Sequence, residues 1–289
     1  MICTLCPRRC GALRTAEGGN GFCAMPSGPV VARAMLHPWE EPCISGTRGS
    51  GAVFFSGCVL GCVFCQNGSI SRGRFGRQIS VRRLREIFEE LIGQGAHNIN
   101  LVSPTPYTPA ILEALDASLG VPVVWNTGGY ERVETLRILE GKVQVWLPDL
   151  KYADNSLAGQ YSGAADYFEV TAAAVLEMYR QAGDCVFEDG LLKRGVVIRH
   201  LLLPGGLNNA KAVMDWIAEH FRPGQVLFSL MSQYTPQPGA RGALARRVTG
   251  GEYRAALEYM KNVGIVDGYC QDSSSARREF TPEFDLSGT

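Results

Sequence analysis

Three cysteines fall close together in FFSGCVLGCVFCQNG, residues 54–68, where Cys58, Cys62 and Cys65 keep a C-x3-C-x2-C spacing. Thiolates ligate iron–sulfur clusters, and a closed cubane takes four of them. Here three arrive together, so the fourth iron is left to a small molecule. An amine and a carboxylate on adjacent atoms would chelate it well. Gly57 and Gly61 relax the steric limits on the tight curl that brings three sulfurs round one centre. Two plainer readings compete. The same positions are i, i+4 and i+7, a buried helical stripe, and cysteine is often a small core residue. Glycines at 57, 61 and 68 would weaken that helix by ~1 kcal/mol each relative to alanine. A zinc knuckle is the other reading, and it normally closes with a fourth ligand.

A second set, Cys3, Cys6, Cys10 and Cys23, is spaced C-x2-C-x3-C-x12-C in a segment rich in Gly and Arg and poor in core-forming residues. Such a segment cannot order itself by burial alone. Four thiolates suit a closed zinc site or a second, fully ligated iron–sulfur cluster. The alternative is a reduced, loosely ordered arm. Cys43 is a spare for this set, and the isolated Cys185 and Cys270 read as structural thiols. Ten cysteines with no apolar signal core behind Arg8 and Arg9 argue against a disulfide framework. They point to metal or redox chemistry and a cytoplasmic location.

The elements that must position these residues follow from pattern. The chain has 289 residues, 46% hydrophobic, enough for one large α/β domain or a domain plus a small appendage. It has no apolar run near ~20 residues, so no membrane span is expected. Lys+Arg and Asp+Glu are both 28, which gives no electrostatic case for nucleic acid or an anionic membrane. Residues 24–50 read as a proline-punctuated connector in which VVARAML is a short strand. From residue 51 the pattern alternates. AVFFS, INLVS, VPVVWN, VQVWLPDL, GVVIRHLLL and QVLFSLM are strand-like, and helical patterns separate them. SVRRLREIFEELIGQG is the clearest helix, with Ser80 as its cap. IVDGYC closes the series. Apolar strands without alternation are parallel strands covered by helices. Six strand–helix repeats with short links build a parallel barrel, or part of one, and a doubly wound sheet is the alternative. Residues 1–50 then form the cysteine-rich extension and connector, and 51–289 the barrel.

In such barrels chemistry collects at the C-terminal strand ends. Those ends carry the cysteine loop, Ser103 and Thr105, Asn126 and Thr127, Asp149 and Lys151, and Arg199. Arg199 is the choice for gripping a carboxylate with two hydrogen bonds. His200, its neighbour in a strand, faces the opposite side and packs between strand and helix.

The cysteine loop, with aromatic Phe64 before its last cysteine, resembles the radical S-adenosylmethionine superfamily. FSGCVLGCVFCQN, NTGGYE, LPDLKY and IRHLLLPGG together resemble the branch related to pyruvate formate-lyase activating enzymes. The resemblance runs from about residue 50 onward, and the first ~40 residues are similar to that branch's cysteine-bearing extension. It implies a partial (β/α)6 parallel barrel with a small cysteine-rich N-terminal extension. It also implies a [4Fe–4S] cluster on Cys58, Cys62 and Cys65, S-adenosylmethionine at the open iron, and an external reductant such as flavodoxin or ferredoxin. The resulting 5′-deoxyadenosyl radical would take hydrogen from a protein, peptide or small-molecule substrate, with glycyl-radical activation as one form. By the same resemblance Ser103 and Thr105 stand at the amine, where activating enzymes carry Gly-Gly-Glu. Asn126 and Thr127 stand at the ribose, Phe64 at the adenine, and Asp149-Leu150-Lys151 as the D-x-K element. The rival class is a non-catalytic iron–sulfur electron-transfer or metal-binding protein.

Overall fold

The apolar runs become strands of one sheet. A computed structural model describes residues 2–271 and 282–289. In chain order the strands are β1 (Val30–His37), β2 (Ser50–Phe55), β3 (Arg77–Gln78), β4 (Ile99–Val102), β5 (Val123–Thr127), β6 (Val145–Pro148), β7 (Val186–Glu188), β8 (Leu191–Leu201), β9 (Leu227–Met231) and β10 (Gly268–Cys270). The helices are α1 (Pro42–Ser45), α2 (Gly68–Ser71), α3 (Val81–Gly93), α4 (Thr108–Ala114), α5 (Val133–Arg137), α6 (Asn155–Ser162), α7 (Tyr167–Ala182), α8 (Leu207–His220) and α9 (Gly250–Asn262).

The sheet order is β10-β9-β8-β6-β5-β4-β2-β1-β3, with β7 folded back on β8. Along that order every pair from β2 to β10 is parallel, while β7 is antiparallel to β8 and β1 is antiparallel to β2 and to β3. Among the described residues no ladder joins β3 to β10, so the barrel is open. The outer edge of β1 is covered further along by the chain's end, where Leu286 N–H donates to Ala32 O and Ala34 N–H to Ser287 O.

Alternation along each strand divides the core in two. Trp125 and Trp146 face the helices and share one cluster with Leu84, Ile87 and Phe88 of α3 and Val175 and Met178 of α7. Burying each such large side chain contributes about 1.5–3 kcal/mol. Val124, Val145, Leu147, Val197 and Leu227 form a separate inner cluster closed by Cys43 and Ile44 of α1. Because β1 runs against β2, His37 pairs with Ser50 at the starting end of the parallel strands. The link from β1 to α1 therefore enters the barrel from below and carries Glu40 and Glu41 inside.

Helix α3 begins where its cap was expected, with Ser80 Oγ accepting from Arg83 N–H at 3.1 Å. Helix α6 escapes the periodicity because Gly159 dilutes it. It is fixed instead by its ends, with Asp154 accepting from Ser156 N–H at 2.7 Å and Gly163 at φ +58°. Strand β8 starts four residues ahead of the apolar run GVVIRHLLL, because β7 pairs with its leading half.

Candidate functional site

Strand β2 delivers the chain to the cysteine loop at the mouth of the barrel. Gly57 turns at φ +79° and Gly61 at φ +64°, both in the left-handed region that side chains avoid. Gly57 N–H donates to Ile70 O and Val63 N–H to Tyr161 O, which ties the loop to its surroundings on both sides. Cys62 is buried, and Cys58 and Cys65 are half-buried. Each sulfur accepts a hydrogen bond: Cys58 from Leu60 N–H at 3.4 Å, Cys62 from Ser162 Oγ at 2.9 Å, and Cys65 from Ser71 Oγ at 3.4 Å. Burial pushes the Cys62 thiol up to about 12 and raises Cys58 as well, and the neighbouring thiols add to this. Ionising buried thiols needs a compensating cation, and donors aimed at all three sulfurs suit the thiolate form. The residues therefore fit a metal cluster. Among the described residues no three His, Cys, Asp or Glu side chains stand close enough to hold a single metal ion.

Beside the loop lies a buried charged network. Arg199 Nε donates to Asp149 Oδ1 at 2.9 Å, its Nη1 to Glu40 Oε2 at 3.1 Å and its Nη2 to Asn126 Oδ1 at 2.6 Å. Glu40 Oε1 also accepts from Asn100 and Asn126. Lys151 Nζ pairs with Asp149 Oδ2. Burial opposes ionisation of Asp149, but Arg199 and Lys151 outweigh it and hold its carboxyl below the ordinary value. Burial likewise opposes the charge on Lys151, and Asp149 and then Cys62 reverse this. The Lys151 ammonium thus faces both its carboxylate partner and the cysteine loop. Burial raises the Glu41 carboxyl, and Glu41 Oε2 and Asn100 Oδ1 have no hydrogen-bond partner among the described residues.

Two of the expected residues lie elsewhere. The hydroxyls of Thr105 and Thr127 both donate to Glu131 Oε1 at 2.5 Å, and Trp125 Nε1 lies 3.5 Å from it. Thr127 shares the helix-side face of β5 with Trp125, whereas Asn126 faces inward. Glu131 is buried, which pushes its carboxyl up to about 7. Ser103 sits at the strand end with φ +58°, and its N–H donates to Asn126 O at 2.9 Å. Phe64 is buried among the edges of Tyr152, Tyr161 and Tyr234. His200 packs away from the mouth with Nδ1–H donating to Leu150 O at 2.7 Å. Burial lowers its pKa to about 4.

The structure thus gathers Cys58, Cys62, Cys65, Phe64, Asp149, Lys151, Asn126 and Arg199 at one mouth. It commits Thr105 and Thr127 to Glu131. Sequence reasoning passed over Glu40, Glu131, Ser71 and Ser162. Glu131 closes the quoted NTGGYE run four residues after Thr127, a signal that was present. Glu40 sits in the connector with no spacing to mark it. A groove of about 370 Å³ opens beside Phe64 and is lined also by Arg72, Tyr161, Tyr234, Gln237 and Arg241. Cys43 lies in the barrel floor, away from the N-terminal cysteines. No helix among the described residues is long and apolar enough to cross a membrane.

Comparison with known proteins adds the following. The sequence model of the Radical SAM superfamily matches residues 52–217. An uncharacterised protein of Methanocaldococcus jannaschii, MJ0674, is 30% identical over 275 residues, covering 91% of this chain and 75% of that protein. Among solved structures, Streptococcus suis SuiB bound to its precursor peptide SuiA superposes with a TM-score of 0.54 at 12% identity. That match covers 75% of this chain and 47% of SuiB, so the chain spans about half the length of that protein. SuiB bound to S-adenosylmethionine gives a TM-score of 0.52 at 13% identity, covering 77% of this chain and 50% of SuiB. Methylornithine synthase (PylB) gives 0.51 at 15% identity, covering 80% of this chain and 75% of PylB. At these identities the solved structures share the fold, a parallel α/β barrel.

Proposed function

The chain belongs to the Radical SAM superfamily, and on that premise we propose that it is an enzyme that cleaves S-adenosylmethionine reductively and takes a hydrogen atom from a substrate. The observation that carries this reading is the turn at Gly57 and Gly61, which sets three hydrogen-bonded cysteine sulfurs at the mouth of an open parallel barrel. Cys58, Cys62 and Cys65 would hold a [4Fe–4S] cluster with S-adenosylmethionine on its remaining iron. Reduced by a donor such as flavodoxin or ferredoxin, that cluster would supply the electron for reductive cleavage of a carbon–sulfur bond of S-adenosylmethionine, which would give methionine and a 5′-deoxyadenosyl radical.

The chain's own residues bind, orient and exclude water. The Lys151 ammonium offsets the negative charge of the thiolate loop. Asp149 fixes Lys151 and Arg199 together, so both cations face the mouth in set positions. Arg199 and Lys151 are the groups that meet the carboxylate of the bound amino acid, and Asn126 meets the ribose. Ser103, in its left-handed turn, presents backbone and hydroxyl to the amine. Phe64, wedged among three tyrosines, gives the adenine a dry, rigid wall. The groove beside Phe64 admits the substrate, which is a protein, a peptide or a small molecule. Activation of a glycyl-radical partner is the form favoured by the D-x-K element.

The test is anaerobic. Reconstituted, reduced protein is mixed with S-adenosylmethionine, and the cluster's EPR spectrum and the release of 5′-deoxyadenosine are followed. A changed spectrum and nucleoside above that of a Cys58→Ala, Cys62→Ala, Cys65→Ala control are expected. An unchanged spectrum with no nucleoside would leave an electron-transfer module.

A further inference from the structure

The four N-terminal cysteines form a second set, next to the cysteine loop through Val59. Cys3, Cys6, Cys10 and Cys23 line one small cavity together with Arg8 and Arg14. A knuckle of backbone shapes it, with Cys3 N–H donating to Ala12 O at 2.8 Å and Arg14 bridged to Gly19. Gly21 leaves the room into which Cys10 turns, since a Cβ there would lie 2.8 Å from Cys10 Sγ. None of the described residues that line the cavity is acidic. These thiols stand too far apart for a single ion, whereas four thiolates around an oxidised cubane make a dianion that two guanidinium groups match. The segment has no core of its own, for Ile2, Leu13 and Phe22 are 67%, 55% and 46% exposed. Apolar burial therefore does not account for its order.

Arg8 joins this knuckle to the barrel. Its Nε donates to Val59 O at 2.7 Å, its Nη2 to Leu60 O at 3.1 Å and Ser162 O at 2.6 Å, and its Nη1 to Gly163 O. The guanidinium carbon lies 4.0 Å from the centre of the Phe22 ring. Val59 and Leu60 are residues of the loop between Cys58 and Cys62, and Ser162 is the donor to Cys62. One side chain thus grips both the backbone of the cysteine loop and the turn that hydrogen-bonds its central sulfur.

We infer that Cys3, Cys6, Cys10 and Cys23 bind one iron–sulfur cluster, and that this centre fixes Arg8 as a positioning residue that clamps the loop carrying Cys58, Cys62 and Cys65. The clamp rests on the reading of that loop as cluster-bearing. The metal centre does not.

The experiment uses the full chain. A Cys58→Ala, Cys62→Ala, Cys65→Ala variant should retain metal that is lost when Cys3, Cys6, Cys10 and Cys23 are also changed to Ser. Iron with matching sulfide is expected, and zinc alone overturns the cluster. Equal background metal in the two variants overturns the site. For the clamp, Arg8→Ala is made with all cysteines intact. Amide hydrogen exchange across residues 58–63 should quicken about tenfold, the scale of one lost charge-assisted hydrogen bond. The midpoint potential of the loop's cluster should shift lower as a nearby cation is removed, while the N-terminal metal is retained. Either readout staying at its wild-type value overturns the clamp. Absence of S-adenosylmethionine cleavage would count against the catalytic reading and leave both the metal analysis and the exchange rates interpretable.

Discussion

Ser162 Oγ donates to Cys62 Sγ at 2.9 Å, joining the end of α6 to the most buried sulfur of the loop. Tyr152 OH and Ser162 Oγ share a further hydrogen bond at 2.8 Å, so the donor is itself oriented. Hydrogen bonds to ligand sulfurs stabilise the reduced, more negative cluster. Ser162→Ala should therefore lower the midpoint potential by something on the order of tens of millivolts. A redox titration followed by EPR measures it. An unchanged potential would mean that Cys62 is not a cluster ligand.

Gly57→Ala meets two obstacles. Its φ of +79° disfavours a side chain by about 1–2 kcal/mol. A Cβ there would also lie 2.7 Å from Met25 Sδ. The variant should melt at a lower temperature and load less iron. Adding Met25→Ala removes the collision and leaves the backbone strain, so recovery should be partial. Full recovery would show that the left-handed turn contributes nothing.

Arg199 is ion-paired with Asp149 and Glu40, and all three side chains are mostly buried. Arg199→Met leaves two carboxylates facing one another in the barrel and should cost about 3–5 kcal/mol in a urea titration. Combining it with Glu40→Gln should return part of that loss, because one uncompensated charge disappears. Simple additivity of the two effects would show that the pairs do not interact.

The buried histidines give stability a pH dependence. His37 and His200 are both lowered to about 4 from an ordinary value near 6.5, by burial in each case. As the pH falls from 6.5 towards 4, the unfolded chain takes up protons that the folded chain refuses, so stability falls. Glu131 acts the other way. Its carboxyl is raised to about 7, so between 4.5 and 7 the folded chain holds a proton that the unfolded chain has lost. Stability from that group falls as the pH rises. Glu131→Gln should therefore steepen the loss of stability on acidification between about pH 6.5 and 4.5, and His200→Asn should flatten it. Denaturant midpoints across that range read both effects. Identical profiles for wild type and Glu131→Gln would place the Glu131 carboxyl at its ordinary value.

What was legible in the sequence was what short spacing encodes. Cys58, Cys62, Cys65 and the glycines at 57 and 61 lie within one short loop, and six of the seven parallel strands announce themselves as apolar runs between helical patterns. Alternation alone turned His200 outward. Long-range partners were not legible. Glu40 reaches Arg199 across 159 residues only because an antiparallel strand carries it to the underside of the barrel. The hydroxyls of Thr105 and Thr127 looked free for a ligand because nothing in their spacing shows that Glu131, buried beneath them, needs both. Ser162 was missed because the helix that presents it is set by its caps rather than by a hydrophobic stripe.

The barrel's failure to close has a consequence for how the molecule lives among its own copies. Unclosed sheets expose backbone donors and acceptors that can template another strand and seed fibrils. Here one rim is β1, roofed by the short, arginine-bearing β3 and by residues 286–287, and the other is the three-residue β10. Among the described residues neither rim offers the long, flat, unpaired edge on which strand-by-strand polymerisation feeds. The architecture keeps its gap and stays a poor seed for aggregation.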